Sequence, residues 1–320
     1  MSNAWDVPDR EITPESALPS RRRFLKWAGL GGVAVAAGAG VWWWTRKGFD
    51  DEVVAAGRVD APGGDLYPAP LNPQFRDLDR PLTSEAEAAR YCNFYEFTMN
   101  KDVWRSIEPF QPVPWKVEVT GLVAKPQTLD LDDLVHAFAL EERKYRHRCV
   151  EAWAMAVPWT GFPLAELVRK VEPLPDAKYV RFVTFQRPAE AHRQKNSFEP
   201  WPYTEGLTLA EATNELAFVA TGIYGHSLLK QHGAPVRLVV PWKYGFKSAK
   251  SIERIEFTNE QPATFWNTLI PREYDFEANV NPDKPHPRWS QATERMLGSG
   301  ERRTTQVYNG YGEWVGKLYA

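Results

Sequence analysis

Cysteine is scarce in this chain: 320 residues carry two, Cys92 and Cys149. Two are too few for a disulfide-stapled scaffold. There is no C-x-x-C pair and no H-E-x-x-H, and the six histidines lie too scattered to suggest a ligand set, so zinc is poorly supported. A surplus of charge is also missing. Lys and Arg number 39 against 41 Asp and Glu, a formal net charge of −2, which supplies no general basic field and argues against nucleic acid as a partner. No Walker A loop, G-x-G-x-x-G, haem, flavin or iron–sulfur motif occurs, and neither does an internal repeat or low-complexity tract. Hydrophobic content of 43% is ordinary for a globular chain long enough to bury a core.

What the chain does have is 14 Trp and 26 Pro, which point to strands and loops with aromatic-lined surfaces rather than a helical bundle. Near the N-terminus, Ser20-Arg21-Arg22-Arg23-Phe24-Leu25-Lys26 precedes eighteen uncharged residues, Trp27 to Trp44. Basic residues before an apolar run mark a signal segment, and this order resembles the twin-arginine export motif. Residues 1–44 are therefore expected to be a twin-arginine signal, 45–82 a linker and wrapping arm, and 83–320 one catalytic domain.

Within that domain, Ser84-Glu85-Ala86-Glu87 has capping-box spacing and predicts a helix through Arg90. Val117 and Val119 alternate with polar residues in a strand ending at Gly121. Leu131, Leu134, Val135 and Phe138 fit one helix face, and Pro163 is expected to start another carrying Leu164, Leu167, Val168 and Val171. Strands are expected at 179–185 and 217–221, with a capped turn at Thr208–Glu211 between them. From Ala263 onward the chain reads mostly as loop. The class is α+β, mixed and sheet-rich, as a single domain.

Two stretches carry chemistry. Tyr145-Arg146-His147-Arg148-Cys149-Val150-Glu151 sets a thiol among cations, which lower a thiol's pKa, so Cys149 is expected to be the more thiolate-prone sulfur. It could be a nucleophile, half of a disulfide with Cys92, or a soft metal ligand. If the stretch is extended, His147 shares the thiol's face while Arg146 and Arg148 point the other way. In the second stretch Arg237 lies inside an apolar run and demands an anionic partner. Lys243, Lys247, Ser248 and Lys250 follow closely, so an anion between Arg237 and Lys250 would explain both.

Together with the export motif, Y-C-N-F-Y-E-F at 91–97, R-C-V-E-A-W at 148–153, G-A-P-V-R-L-V-V-P-W-K-Y-G-F-K at 233–247 and H-P-R-W-S-Q-A-T-E-R at 286–295 resemble a known family. It is that of the molybdenum-containing subunits of bacterial periplasmic protein-methionine-sulfoxide reductases, whose core fold is that of sulfite oxidase. The resemblance implies one molybdopterin per chain, with the metal held by the pterin dithiolene and Cys149. It places Asn93 near the metal and Glu151 beside Cys149. Cofactor contacts are implied for Cys92, Asn93, Tyr95, Glu96, Thr184, His232, Arg237, Ser248, Ala249 and Lys250. Arg237 and Lys250 become partners of the pterin phosphate. Cys92 and His232 each stand where the family usually has Asn. The implied activity is reduction of methionine sulfoxide in exported proteins by oxygen-atom transfer, in the periplasm. Electrons would come from a haem-containing membrane subunit drawing on quinones, and the twin-arginine machinery would export the chain. A sulfite-oxidising or other small-oxide molybdoenzyme on the same core is the alternative.

Overall fold

The computed structural model describes residues 46–320; the signal segment expected at 1–44 lies outside them. Residues 46–51 belong to a separate unit, and Glu52–Ala320 form one compact unit. No helix among the described residues is long and apolar enough to cross a membrane.

In chain order the strands are β1 (Lys116–Gly121), β2 (Gln127–Asp130), β3 (Glu141–Arg148), β4 (Trp153–Pro163), β5 (Tyr179–Thr184) and β6 (Thr204–Thr208). They continue with β7 (Phe218–Ile223), β8 (His226–Ser227), β9 (Arg237–Val239), β10 (Ile252–Thr258), β11 (Thr293–Met296) and β12 (Arg302–Thr304). One sheet runs β2-β1-β10-β5-β6. The other runs β12-β11-β4-β7-β8, with β3 also on β4 and β9 also on β7. The architecture is α+β, as expected.

Strand β4 organises the second sheet. Trp153 to Phe162 are all buried, the pattern of a strand covered on both faces. The whole of β3 pairs with it, from Glu141↔Gly161 to Arg148↔Ala154, so Cys149–Ala152 is the hairpin loop between them. That loop closes through Cys149 N–H to the Trp153 carbonyl at 2.9 Å and Ala152 N–H to the Cys149 carbonyl at 3.0 Å. Ala152 has φ 64, a left-handed value that L side chains pay to adopt. The thiol thus sits on the tight turn that joins β3 to the buried strand β4.

Several expected elements form for the expected reasons. Ser84 caps the helix Glu85–Arg90, its hydroxyl accepting from Glu87 N–H. Thr208 and Glu211 complete a reciprocal capping box for the turn Leu209–Ala212. Helix Leu164–Val171 buries Leu164, Leu167, Val168 and Val171, each contributing roughly 1.5–3 kcal/mol of hydrophobic stabilisation. Pro163 is its N-cap and the last residue of β4 rather than a helical residue. Phe138 lies beyond its helix, Leu131–His136, and stacks on Phe162 at 4.0 Å.

The C-terminal part is more ordered than a loop. It holds the helix Phe265–Leu269, and β11 and β12 extend the second sheet, β11 running parallel to the start of β4. With only Glu294 and Met296 buried in β11, its alternation is too short and too polar to be read as a strand.

Candidate active site

The chemistry-bearing stretches meet at one cavity of about 750 Å³, open mouth included. Cys92, Asn93, Tyr95, Glu96, Cys149, His232, Arg237, Ser248, Ala249 and Lys250 all line it. Thr184 stands behind the wall instead, its buried hydroxyl donating to Glu96 Oε1 at 3.3 Å. Glu151 lies on the far side of Cys149, its Oε2 accepting from the thiol at 3.6 Å and from Trp153 Nε1 at 3.1 Å.

At the thiol end, the sequence-based expectation of a ready thiolate is overturned. Burial, then the Glu151 carboxylate, push the Cys149 pKa up to about 12. Burial pushes Cys92 up to about 12 as well. The neighbouring cations are occupied elsewhere. Arg146 donates to Asp79 at 3.0 Å and to the Asn309 carbonyl at 2.9 Å. Arg148 is buried in an ion pair with Glu294 at 3.1 Å, which also meets Arg80. His147, on the thiol's side as expected, is held neutral, its pKa pushed down to about 3 by burial and then by Arg237 and Lys250. Both thiols are free, and Cys92 donates to the Gln231 carbonyl at 3.4 Å, so the disulfide reading falls. A buried neutral thiol is a poor nucleophile; a metal ion would take its proton outright.

Two cations line the same cavity. Arg237 is buried and, among the described residues, donates only to backbone carbonyls: His232 at 2.8 Å, Leu238 at 3.3 Å and Ser248 at 3.3 Å. Its guanidinium lies 4.7 Å from the Trp159 ring centroid. The Lys250 ammonium has no ion-pair partner among the described residues; it faces the Phe94 ring at 5.6 Å. Burial and then Arg237 push its pKa down to about 8, while burial pushes the nearby Glu96 carboxyl up to about 7. Gly233 makes the approach possible. It has φ 94, and a Cβ there would stand 2.6 Å from the Lys250 Cβ. Two buried cations with no ion-pair partner among the described residues are costly unless an anion joins them, so the residues present fit a phosphate-bearing cofactor that also meets a soft thiol donor. No group of three or more His, Cys, Asp or Glu able to hold a metal alone occurs among the described residues.

Reading the sequence missed Lys101, whose ammonium reaches Asn93 Oδ1 at 2.6 Å and Glu151 at 2.6 Å. Burial works against the Glu151 carboxylate, but Lys101, Trp153 and Asn93 together outweigh it and keep its pKa below the usual range. Also missed were the aromatic walls: Tyr203, Phe246, Trp266 and Tyr274, with Trp266 and Tyr274 at 5.0 Å and Tyr95 edge-on to Trp266 at 4.9 Å. Scattered aromatics carry no spacing that would have announced them.

His232 yields a pH prediction. Neither ring nitrogen makes a well-formed hydrogen bond, and burial pushes its pKa down to about 4. The unfolded chain takes up this proton near 6.5 and the folded one does not. The His232 contribution to the stability of the cofactor-free protein is therefore full above pH 6.5 and falls by about 1.4 kcal/mol per unit towards pH 4, and buried His147 adds a parallel fall. Urea unfolding across that range should show the slope, and His232→Asn should remove its share and leave that of His147.

Comparison with known proteins places these observations. Residues 105–266 match the family described as the oxidoreductase molybdopterin binding domain. The chain is 47% identical over 319 residues to the protein-methionine-sulfoxide reductase catalytic subunit MsrP of Burkholderia mallei, covering 98% of this chain and 93% of that protein. It is 45% identical over 324 residues to the same-named subunit of Ralstonia nicotianae, covering 98% and 94%. Among solved structures, the sulfane dehydrogenase SoxCD of Paracoccus pantotrophus aligns at a TM-score of 0.40 and 17% identity, over 62% of this chain and 46% of that one.

Proposed function

The chain belongs to the molybdopterin-binding oxidoreductases, among the protein-methionine-sulfoxide reductase catalytic subunits, and from that premise we propose how its own residues serve the reaction. It is a molybdenum-dependent enzyme that reduces methionine sulfoxide in proteins to methionine, which implies a protein substrate and a redox partner. The observation that carries the residue assignments is the shared cavity, lined by the Cys149 thiol and by the buried cations Arg237 and Lys250.

When bound, the molybdopterin supplies two-electron chemistry able to take an oxygen atom from a sulfoxide. Cys149 is the protein's sulfur ligand to the metal, held out by the β3–β4 hairpin. Arg237 and Lys250 take the pterin phosphate through charge-assisted bonds. Glu96 and, behind it, Thr184 form the wall beside Lys250. Tyr95, Trp266 and Tyr274 exclude water from the mouth and present an apolar face to the methyl and methylene groups of the substrate side chain. Asn93 and Glu151 lie at the sulfur, where the amide N–H of Asn93 and the carboxylate of Glu151 orient it. Each turnover needs two electrons and two protons to convert a sulfoxide into a thioether and water.

The electron source is a haem-containing membrane subunit linked to quinones, and the site of action is the periplasm, reached through the twin-arginine machinery. Support for export comes from Ser20–Lys26 and the apolar run that follows. The test is to express the chain with its first 44 residues intact, measure molybdenum per chain, and assay a methionine-sulfoxide peptide against sulfite. One molybdenum per chain with sulfoxide turnover is the expected result. Strong sulfite oxidation without sulfoxide turnover would sink the reading in favour of the sulfite-oxidising alternative.

A further inference from the structure

We propose that Lys101 is a positioning residue that fixes the Asn93 amide so that its N–H group points at the Cys149 sulfur, tuning the metal that sulfur holds. The proposal rests on Cys149 being the metal ligand.

Three neighbouring side chains settle the amide's direction by what each is able to do. An ammonium only donates and an ionised carboxylate only accepts. Lys101 Nζ lies 2.6 Å from Asn93 Oδ1, so that atom is the carbonyl oxygen. Asn93 Nδ2 then faces Glu151 Oε2 at 3.2 Å and Cys149 Sγ at 3.5 Å. The flipped amide would set N–H against the ammonium and oxygen against both carboxylate and sulfur, so the network admits one orientation only.

Lys101 does a second thing from the same place. It spans both Glu151 oxygens, at 2.8 Å and 2.6 Å, and so compensates a carboxylate that lies 3.6 Å from the sulfur. Its position is built in by the backbone. Cys92 N–H donates to the Lys101 carbonyl at 3.0 Å, and Asn100 N–H to Thr98 Oγ1 at 3.0 Å, closing residues 92–101 into a loop that delivers Lys101 back to Asn93.

Hydrogen bonds to a ligating sulfur, and charge beside it, set the reduction potential of the metal it holds. Losing Lys101 frees the amide to turn and bares the carboxylate, so the sulfur becomes more electron-donating and the oxidised metal is favoured. A merely structural lysine would act otherwise. Its side chain is 23% exposed, and an ion pair of that kind affects stability slightly and potential not at all.

The experiment uses molybdenum-loaded Lys101→Met and Lys101→Arg proteins, with redox titration followed by the spectroscopic signal of the metal. Lys101→Met should have a more negative midpoint potential and a kcat roughly tenfold lower, in line with the loss of a partner behind a metal ligand. Lys101→Arg, which keeps the charge, should recover most of the shift. Should the Met variant fail to load metal, Lys101→Gln, which keeps a donor but no charge, serves in its place with the same expected direction. A loaded variant without the charge that shows wild-type midpoint and kcat would overturn the role of Lys101 alone. A Cys149→Ser protein that keeps its molybdenum would overturn the ligand assignment beneath it, whatever Lys101 does.

Discussion

Cys149→Ser is expected to abolish sulfoxide reduction and to leave the purified protein without molybdenum, while its fold survives. The fold should survive because the thiol faces the cavity and its main-chain bonds do not involve the sulfur: the Cys149 N–H to Trp153 and the Ala152 N–H to Cys149 both remain. The serine hydroxyl can donate to Glu151 Oε2 as the thiol does, so the stability change should stay within about 1 kcal/mol. The metal is lost because an alcohol is harder and far less acidic than a thiol, and a soft anionic donor is what the centre requires. Elemental analysis and a melting curve on the same preparation check both halves. The pairing also separates two roles for one sulfur. A nucleophile's loss would stop turnover but leave the metal in place, whereas a ligand's loss removes both.

Parts of this site were visible in the sequence because they violate an ordinary rule. Arg237 inside a proline-bounded apolar run is such a violation, and the structure places it buried among backbone carbonyls and the Trp159 ring, with Lys250 nearby. Capping at Thr208 and Ser84 was equally legible, since caps depend on residues three apart. What could not be read depends on pairings far apart in the chain. Arg148 looked like a cation beside the thiol, but its partner Glu294 lies in a strand too short to recognise. His147 looked like another, yet Arg237 and Lys250, brought in from a distant segment, help keep it neutral. Lys101 sits eight residues from Asn93 in an unremarkable turn, and only the closed loop shows what it holds. Local sequence thus reported each group's chemistry but not the sign of its surroundings.

Lys250→Met should move two measurements in opposite directions. In the cofactor-free protein Lys250 is a charge at the cavity wall with no ion pair, and burial with Arg237 pushes its pKa down to about 8. A group with a depressed folded pKa contributes its stability above the unfolded value, 10.5, and loses it as pH falls through 8. At neutral pH the ammonium is therefore a cost, and a methionine of similar length removes it. Glu96 is not stranded by the change, because burial already pushes its pKa up to about 7 and protonation leaves it neutral beside Thr184. The cofactor-free variant should thus melt no lower than wild type, and its stability should lose the component that falls between pH 10.5 and 8. Cofactor binding should go the other way. A charge-assisted bond to phosphate contributes roughly 1.5–3 kcal/mol, so affinity should fall by about ten- to a hundredfold, read as molybdenum occupancy during loading with limiting cofactor. A lysine serving packing alone would lower the melting temperature and leave occupancy unchanged. Only a cation kept for an absent anion predicts a steadier empty protein that loads poorly.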